Sequence, residues 1–469
     1  MALISIKKNF AYKSVLTIST YIIGFITFPY TSRVFGVERL GLVNFVDNTI
    51  NYFLLFSTMG IGILGVREIA ASKDEEMRNK TFSNILGLNI WFTIATLIVY
   101  FITITHVHKF NENSELFYIG AAKIFFTTFL IEWFFTGIEN FKYITIRSII
   151  IKLLYVLAVF ILVKEKDDYI LYFTLTIIVV IINACINLLY ASKYVKIIPK
   201  ELFSLKDLKS NFILGVNGII TSMYLTFNVI YLGLVSNNIQ VGYYTTAFKL
   251  YSVVLGFFSA FTSVMLPRMS ALIADGNDVR FKELTNKSLW IVISVSLPII
   301  IYSILMAPQI IFVLTGPGYE GAILPMRIIM PAILLVGIAQ VLVVQTLIPL
   351  RKDGILLRVY TISGCLGLII NIIIVPKMQS VGSAIVLLCA EAIATILYII
   401  YVIKHHIVKI NIKPIIIQII LSLQILIICP LTCRLIQNQF LALVVTSILS
   451  LLVYIAYYVL YSSHKKISK

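Results

Sequence analysis

Residues 41–68 read GLVNFVDNTINYFLLFSTMGIGILGVRE, and residues 242–268 read GYYTTAFKLYSVVLGFFSAFTSVMLPR. Each stretch opens on a glycine, runs apolar for the length of a membrane span and closes on an arginine. Gly41 and Arg67 bound the first, Gly242 and Arg268 the second, and both steps are 201 residues. A charged stretch follows each, reaching Arg78 in one case and Arg280 and Lys282 in the other. One apolar unit therefore occurs twice. Two copies of a membrane unit facing each other are a standard way to build a substrate pathway at their seam, so the repeat bears on function as well as fold.

Composition sets the class. Of 469 residues, 59% are hydrophobic and 13% charged, about half the charged share of a soluble domain. Apolar runs of about 20 residues, enough to cross about 30 Å of hydrocarbon as helix, recur near 12–33, 42–65, 84–104, 115–136, 146–163, 169–191, 212–235, 243–266, 288–314, 322–348, 356–376, 381–403, 414–434 and 440–461. The expectation is an all-α polytopic membrane protein of about fourteen transmembrane helices. The first run, after Lys7 and Lys8, is too long for a cleaved signal and lacks a small-x-small exit, so it reads as a retained span.

Lys and Arg orient the chain. Loops on the N-terminal side of the membrane hold 27 of the 38 basic residues and the opposite loops 6, a bias that places both termini in the cytoplasm of a bacterial inner membrane protein. The net charge of +17 is thereby explained by loops between spans; no basic face with interleaved aromatics points to nucleic acid. An even six spans per copy gives both copies the same topology, the parallel kind of repeat. The predicted organisation is a six-helix lobe over 1–191, a basic cytoplasmic linker over 192–211, a second six-helix lobe over 212–404, and two additional helices within 405–469.

No predicted loop is long. There is no room for an extramembrane catalytic or nucleotide-binding domain, and no G-x-x-x-x-G-K-[ST] phosphate loop occurs. Cys185, Cys365, Cys389, Cys429 and Cys433 lie in apolar runs without zinc or disulfide spacing. The five histidines sit in loops or at ends, and nothing resembles a Ser/His/Asp or Cys/His site. The chain reads as a transporter and not an enzyme, with no cofactor beyond a proton or Na⁺ gradient.

Ionisable groups at membrane depth are costly unless they face protein or water, which makes them functional candidates. Lys249 lies about two turns into the span that begins at Tyr243. Arg33 ends the first span, and Arg327 begins another between Pro325 and Pro331, which interrupt its helix. Lysine and arginine are natural partners of phosphate oxygens, so the three cations predict a pocket for an anionic substrate. Snorkelling or interfacial anchoring is the competing reading of each. Asp47 and Glu391 sit deep in spans 2 and 12, where a carboxylate either binds a proton or Na⁺ for coupling or pairs with a buried cation. For Glu132, beside Trp133 near an interface, pairing is the better reading. Asn51, Asn217, Asn228 and Asn371 read as helix–helix hydrogen-bonding groups.

Phe28-Pro29-Tyr30-Thr31-Ser32-Arg33-Val34-Phe35-Gly36, Gly41 and Arg67-Glu68-Ile69-Ala70 resemble the opening of the polysaccharide (O-antigen, Wzx-type) flippases. Gly242-Tyr243-Tyr244, Leu266-Pro267-Arg268-Met269-Ser270, Gly382-Ser383-Ala384 and Glu391 extend the likeness over most of residues 5–404. These flippases belong to the multidrug/oligosaccharidyl-lipid/polysaccharide exporter superfamily. The resemblance implies two six-helix lobes around a central cavity that alternates between faces. It implies an undecaprenyl-diphosphate-linked oligosaccharide as cargo, moved to the outer leaflet for O-antigen or capsule synthesis, with ion antiport. By motif position it gives Arg33 and Lys249 to the diphosphate and a prenyl-tail groove to the last two helices. Two departures stand out: a lysine at 249, offering a point charge where relatives carry an arginine fork, and Asn228 where relatives often carry Asp, so ion coupling does not carry over there. Membrane lipid, a polysaccharide polymerase and chain-length proteins are the implied partners. A multidrug exporter of the same fold is the alternative, disfavoured by the surplus of cations. A membrane polymerase or ligase would want a large outer loop that the chain lacks.

Overall fold

The computed structural model describes residues 6–222, 226–408 and 413–467, and among them every regular element is helical. The chain packs into two compact units, Met1–Gly242 and Tyr243–Lys469. The first holds α1 (Ile6–Thr58), α2 (Ile61–Ala71), α3 (Glu75–His106), α4 (His108–Asn111), α5 (Ser114–Thr127), α6 (Glu132–Gly137), α7 (Phe141–Leu162), α8 (Tyr169–Ala191), α9 (Leu208–Ser222), α10 (Thr226–Val235) and the start of α11 (Asn238–Ala274). The second continues α11 and adds α12 (Asp278–Leu305), α13 (Ala307–Thr315), α14 (Ile323–Ile329), α15 (Ala332–Gln340), α16 (Asp353–Lys404), α17 (Lys413–Ser422), α18 (Ile425–Leu435) and α19 (Gln439–Ile467). The run 212–235, which opens the second copy in the sequence, packs within the first unit: α9 lies on α1 and α2, and α10 on α1.

Eleven helices among the described residues are long and apolar enough to cross a membrane. That count is smaller than the fourteen expected because two pairs of neighbouring runs join and the run 212–235 is described as two shorter helices, α9 and α10. Runs 12–33 and 42–65 share α1, which breaks at Gly36 (φ 69, ψ 176), a conformation glycine reaches without a Cβ penalty. Runs 356–376 and 381–403 share α16, broken at Gln379 (φ 50, ψ −124) three residues after Pro376. Polar caps start the helices where water is available: the Asp74 carboxylate accepts from Met77 N at 2.7 Å, with Glu75 and Glu76 in the same first turn.

Two of the expected spans carry a break within them. The run 42–65 stops at Thr58, turns through Met59 (φ 38) and Gly60, and restarts as α2. The run 115–136 passes from α5 through a 3₁₀ turn at Thr128–Leu130 and a left-handed Ile131 (φ 40) into α6. A β-branched residue rarely adopts this conformation, which costs on the order of 1–3 kcal/mol. The packing that holds it is dense. Ile131, Trp133, Phe134 and Phe135 are buried in one cluster with Phe82, Ile85 and Leu86 of α3. A chain of hydroxyls ties Ser57 to Thr93 (2.7 Å) and Thr93 to Thr128 (2.6 Å), linking both broken segments to α3.

Candidate functional site

In the first unit Asp47 is paired. The Lys123 ammonium on α5 donates to Asp47 Oδ1 at 2.6 Å and to Asn51 Oδ1 at 2.9 Å, while Asn51 Nδ2 donates to Asp47 Oδ2 at 3.1 Å. Asn51 stands one helical turn beyond Asp47, so one helix face presents both acceptors to the lysine. The Lys123 side chain is 16% exposed and that of Asp47 34%. Tyr155 of α7 and Tyr172 of α8 lie within Coulombic reach of the carboxylate, so four helices converge on this charge pair. Asp47 is thus paired with a largely buried cation in this structure.

The second charge pair belongs to the broken segment. Arg147 of α7, at the start of the run 146–163, has a side chain only 5% exposed, and its Nη2 donates to Glu132 Oε1 at 2.8 Å. Its Nη1 donates to Asn187 Oδ1 of α8, and Asn187 Nδ2 donates to the Leu130 carbonyl next to the left-handed Ile131. Tyr143 adds a hydroxyl on Asn187 Oδ1 at 3.0 Å and a ring under the guanidinium at 5.5 Å. The network satisfies a carbonyl that the break takes out of the helix, as buried backbone groups require. Glu132, 49% exposed in its side chain, turns toward a cavity of about 720 Å³ walled by both interrupted segments, with Thr58, Gly62, Asn89, Thr127 and Trp133 among its lining.

The remaining candidates are spread along their units. Arg33 is exposed on α1 before the Gly36 break, and its Nη1 donates to the Pro29 carbonyl at 3.1 Å. Asp47 lies beyond that break and is engaged by Lys123 and Asn51. In the second unit Lys249 is half-buried on α11, and Glu391 is buried on α16 with Tyr360 and Tyr398 in Coulombic reach. Arg327 is exposed on α14, which ends two residues before Pro331, and its Nε donates to the Ile304 carbonyl at 3.0 Å, closing the last turn of α12. Lys123 and the Arg147–Asn187 network carry no sequence signal beyond charge in an apolar run, because their partners lie far away in the chain.

A second cavity, of about 270 Å³, lies among α12, α18 and α19, walled by Pro298, Ile299, Ile425 and Leu451. Most of its polar groups are engaged: Tyr302 Oη meets Ser447 Oγ at 2.7 Å, and Tyr454 Oη donates to Gln418 Oε1 at 2.6 Å. The Ser450 hydroxyl also lines the cavity, whose remaining walls are apolar.

Residues 6–273 match the family described as "Polysaccharide biosynthesis protein". The chain is 24% identical over 410 residues to a candidate O-antigen transporter of Escherichia coli (strain K12), covering 85% of this chain and 97% of that protein. It is 24% identical over 399 residues to the capsular polysaccharide biosynthesis protein CapF of Staphylococcus aureus, covering 83% and 98%. Its fold is similar to that of the lipid II flippase MurJ in an inward closed conformation (TM-score 0.80, 16% identity, 98% and 100% covered). It is also similar to that of an inward-facing multidrug transporter of the MATE family (TM-score 0.63, 14% identity, 84% and 98% covered).

Proposed function

Since the chain belongs to the polysaccharide biosynthesis protein family, we propose that it is a flippase for lipid-linked polysaccharide. Its cargo is an undecaprenyl-diphosphate-linked oligosaccharide, carried from the cytoplasmic to the outer leaflet of the inner membrane, with both termini cytoplasmic. The repeat division at 1–191, 192–211, 212–404 and 405–469 describes the two halves that alternate and the two added helices.

The observation that carries this reading is the imbalance of charge at membrane depth. In the first unit the carboxylates of Asp47 and Glu132 are both engaged by cations of the same unit, Lys123 and Arg147. A binding site for cationic drugs needs carboxylates to spare, and the multidrug alternative is the weaker reading for that reason. Arg33, Lys249 and Arg327 hold the diphosphate, as ammonium and guanidinium groups hold phosphate oxygens. The sugar crosses in a wet cavity while the prenyl chain stays in lipid, and the apolar cavity at α18 and α19 suits part of that chain. Coupling to a proton or Na⁺ gradient runs through Glu391 or through a state in which Asp47 parts from Lys123. A polymerase and chain-length proteins act on the product.

The test is substitution of Lys249. Lys249→Ala abolishes surface polysaccharide at unchanged protein level, and Lys249→Arg retains it. Normal polysaccharide from the alanine variant overturns the diphosphate role of this residue.

A further inference from the structure

Residues 192–211 look in the sequence like a solvated basic linker. The structure pins them along α3 instead. Lys196 N donates to Asn79 Oδ1 at 2.9 Å, Ile198 N to Ser83 Oγ at 2.8 Å, and Trp91 Nε1 to the Leu202 carbonyl at 3.3 Å. Gly87 lets the strap lie flush, since a Cβ there would stand 2.1 Å from the Leu202 oxygen. On the way back, Asn84 Nδ2 donates to Asp207 Oδ2 at 2.8 Å. From Asn79 to Trp91 the strap climbs about 18 Å of helix at 1.5 Å per residue. It thereby reaches the level where α3 begins to show Trp91, Ile94, Ile98 and Val99 on its outer surface.

The side chains at the top of this climb face outward. Phe203 is 67% exposed and Leu205 62%, and the Phe203 ring rests 5.7 Å from that of Trp91. A fold that burned four hydrogen bonds on placing these groups would gain nothing by leaving them in water. Around them stand Lys193, Lys196, Lys200, Lys206 and Lys209, all exposed. Among the described residues none of the five forms an ion pair. Only Glu201 and Asp207 oppose them between residues 192 and 211. Large apolar tips beside unpaired ammonium groups, at the foot of a lipid-facing helix, match the headgroup layer of a membrane carrying negative charge.

We infer that the strap 196–209 is a binding site for anionic phospholipid: Phe203 and Leu205 enter the acyl boundary beside Trp91, and Lys196, Lys200, Lys206 and Lys209 hold headgroup phosphates. This assignment stands on the first unit's own geometry and is independent of the cargo.

The test uses the full chain purified in a neutral detergent, with thermal unfolding followed as lipid is added. Phosphatidylglycerol is expected to raise the unfolding temperature; phosphatidylcholine and inorganic phosphate are not. The quadruple change Lys196→Gln, Lys200→Gln, Lys206→Gln and Lys209→Gln should require at least about tenfold more phosphatidylglycerol for the same shift, while Lys282→Gln with Lys287→Gln keeps the wild-type response. An unchanged response in the quadruple variant overturns the site, as does an equal response to phosphate alone. A second measurement reads depth without depending on affinity. The emission that Phe203→Trp adds to a Trp91→Phe background, taken as the difference from that background's own Trp133 and Trp290 signal, should be quenched by lipids brominated near the headgroup end of the acyl chain. Emission typical of water with no quenching sinks the proposal.

Discussion

Gly41 and Gly242, the pair set 201 residues apart in the sequence, stand backbone against backbone. A Cβ on Gly41 would lie 1.9 Å from the Asn238 carbonyl oxygen and 2.7 Å from Gly242 N, and a Cβ on Gly242 would lie 2.3 Å from the Val37 carbonyl oxygen. Each glycine is thus the condition for the other's approach. Gly41→Ala forces main chain against main chain, which no side-chain rotation relieves, and should cost about 1–3 kcal/mol. Gly62→Ala, with nothing within 4 Å of its added Cβ, should be neutral or stabilising in its helix. Unfolding temperatures of the two variants check the contrast.

The Asp47–Lys123 pair predicts a double-mutant cycle of definite sign. Asp47→Asn leaves an ammonium at membrane depth with amide oxygens alone, and Lys123→Met leaves a carboxylate with only Asn51. Each single change should lose about 1–3 kcal/mol, discounted from a fully buried pair because Asp47 is one-third exposed. The double variant should recover part of that loss. Strict additivity of the two losses would mean that the charges do not interact.

Arg147 is the more exacting position. Its removal as Arg147→Met strips Glu132 and Asn187 together, and with them the support of the Leu130 carbonyl beside strained Ile131. A loss of about 3–5 kcal/mol, or failure to accumulate in the membrane, is expected. Glu132→Gln keeps an acceptor for the guanidinium and should cost less. Comparable expression and unfolding temperature for Arg147→Met and wild type would show that the network does not hold the break.

Asp207 gives a pH dependence. Burial raises its carboxyl above the ordinary range and Glu68 adds to this, while Lys206 and Arg67 pull the other way. A raised folded value favours the protonated acid in the folded state. Its stabilising contribution is therefore complete below the ordinary carboxylate value of about 4 and is lost as pH rises through the folded value. Asp207→Asn stays neutral and keeps an oxygen for Asn84 Nδ2. At neutral pH it should be as stable as the wild type or slightly more so, by under about 1 kcal/mol given the solvent screening. Its stability should also fall less between acid and neutral pH. A clear loss at neutral pH would contradict the sign.

Much of the architecture was legible because helix formation in an apolar setting depends on local composition. Apolar length marked the helices, and the gaps left between runs 12–33 and 42–65 and between runs 356–376 and 381–403 bracket the breaks that divide α1 and α16. The interruptions at Met59 and Ile131 were not legible, since no proline precedes them and an isoleucine is the last residue that intrinsic preference would send left-handed. Tertiary packing against Phe82 and Trp133 overrode that preference.

What the sequence by itself determined is the class, the repeat and the inventory of charges at membrane depth, all of which follow from residue type and spacing along one chain. Which charges are spent on each other was decided by the tertiary structure alone. Asp47 meets Lys123 across 76 residues and Arg147 meets Glu132 across 15 and a break in the helix, and no helical period connects such pairs. Tertiary structure alone also decided the course of the strap 192–211, which the Asn79, Ser83 and Asn84 side chains of α3 fix in place beneath Trp91. A buried charge is stable only with a partner, and the partner is chosen by packing.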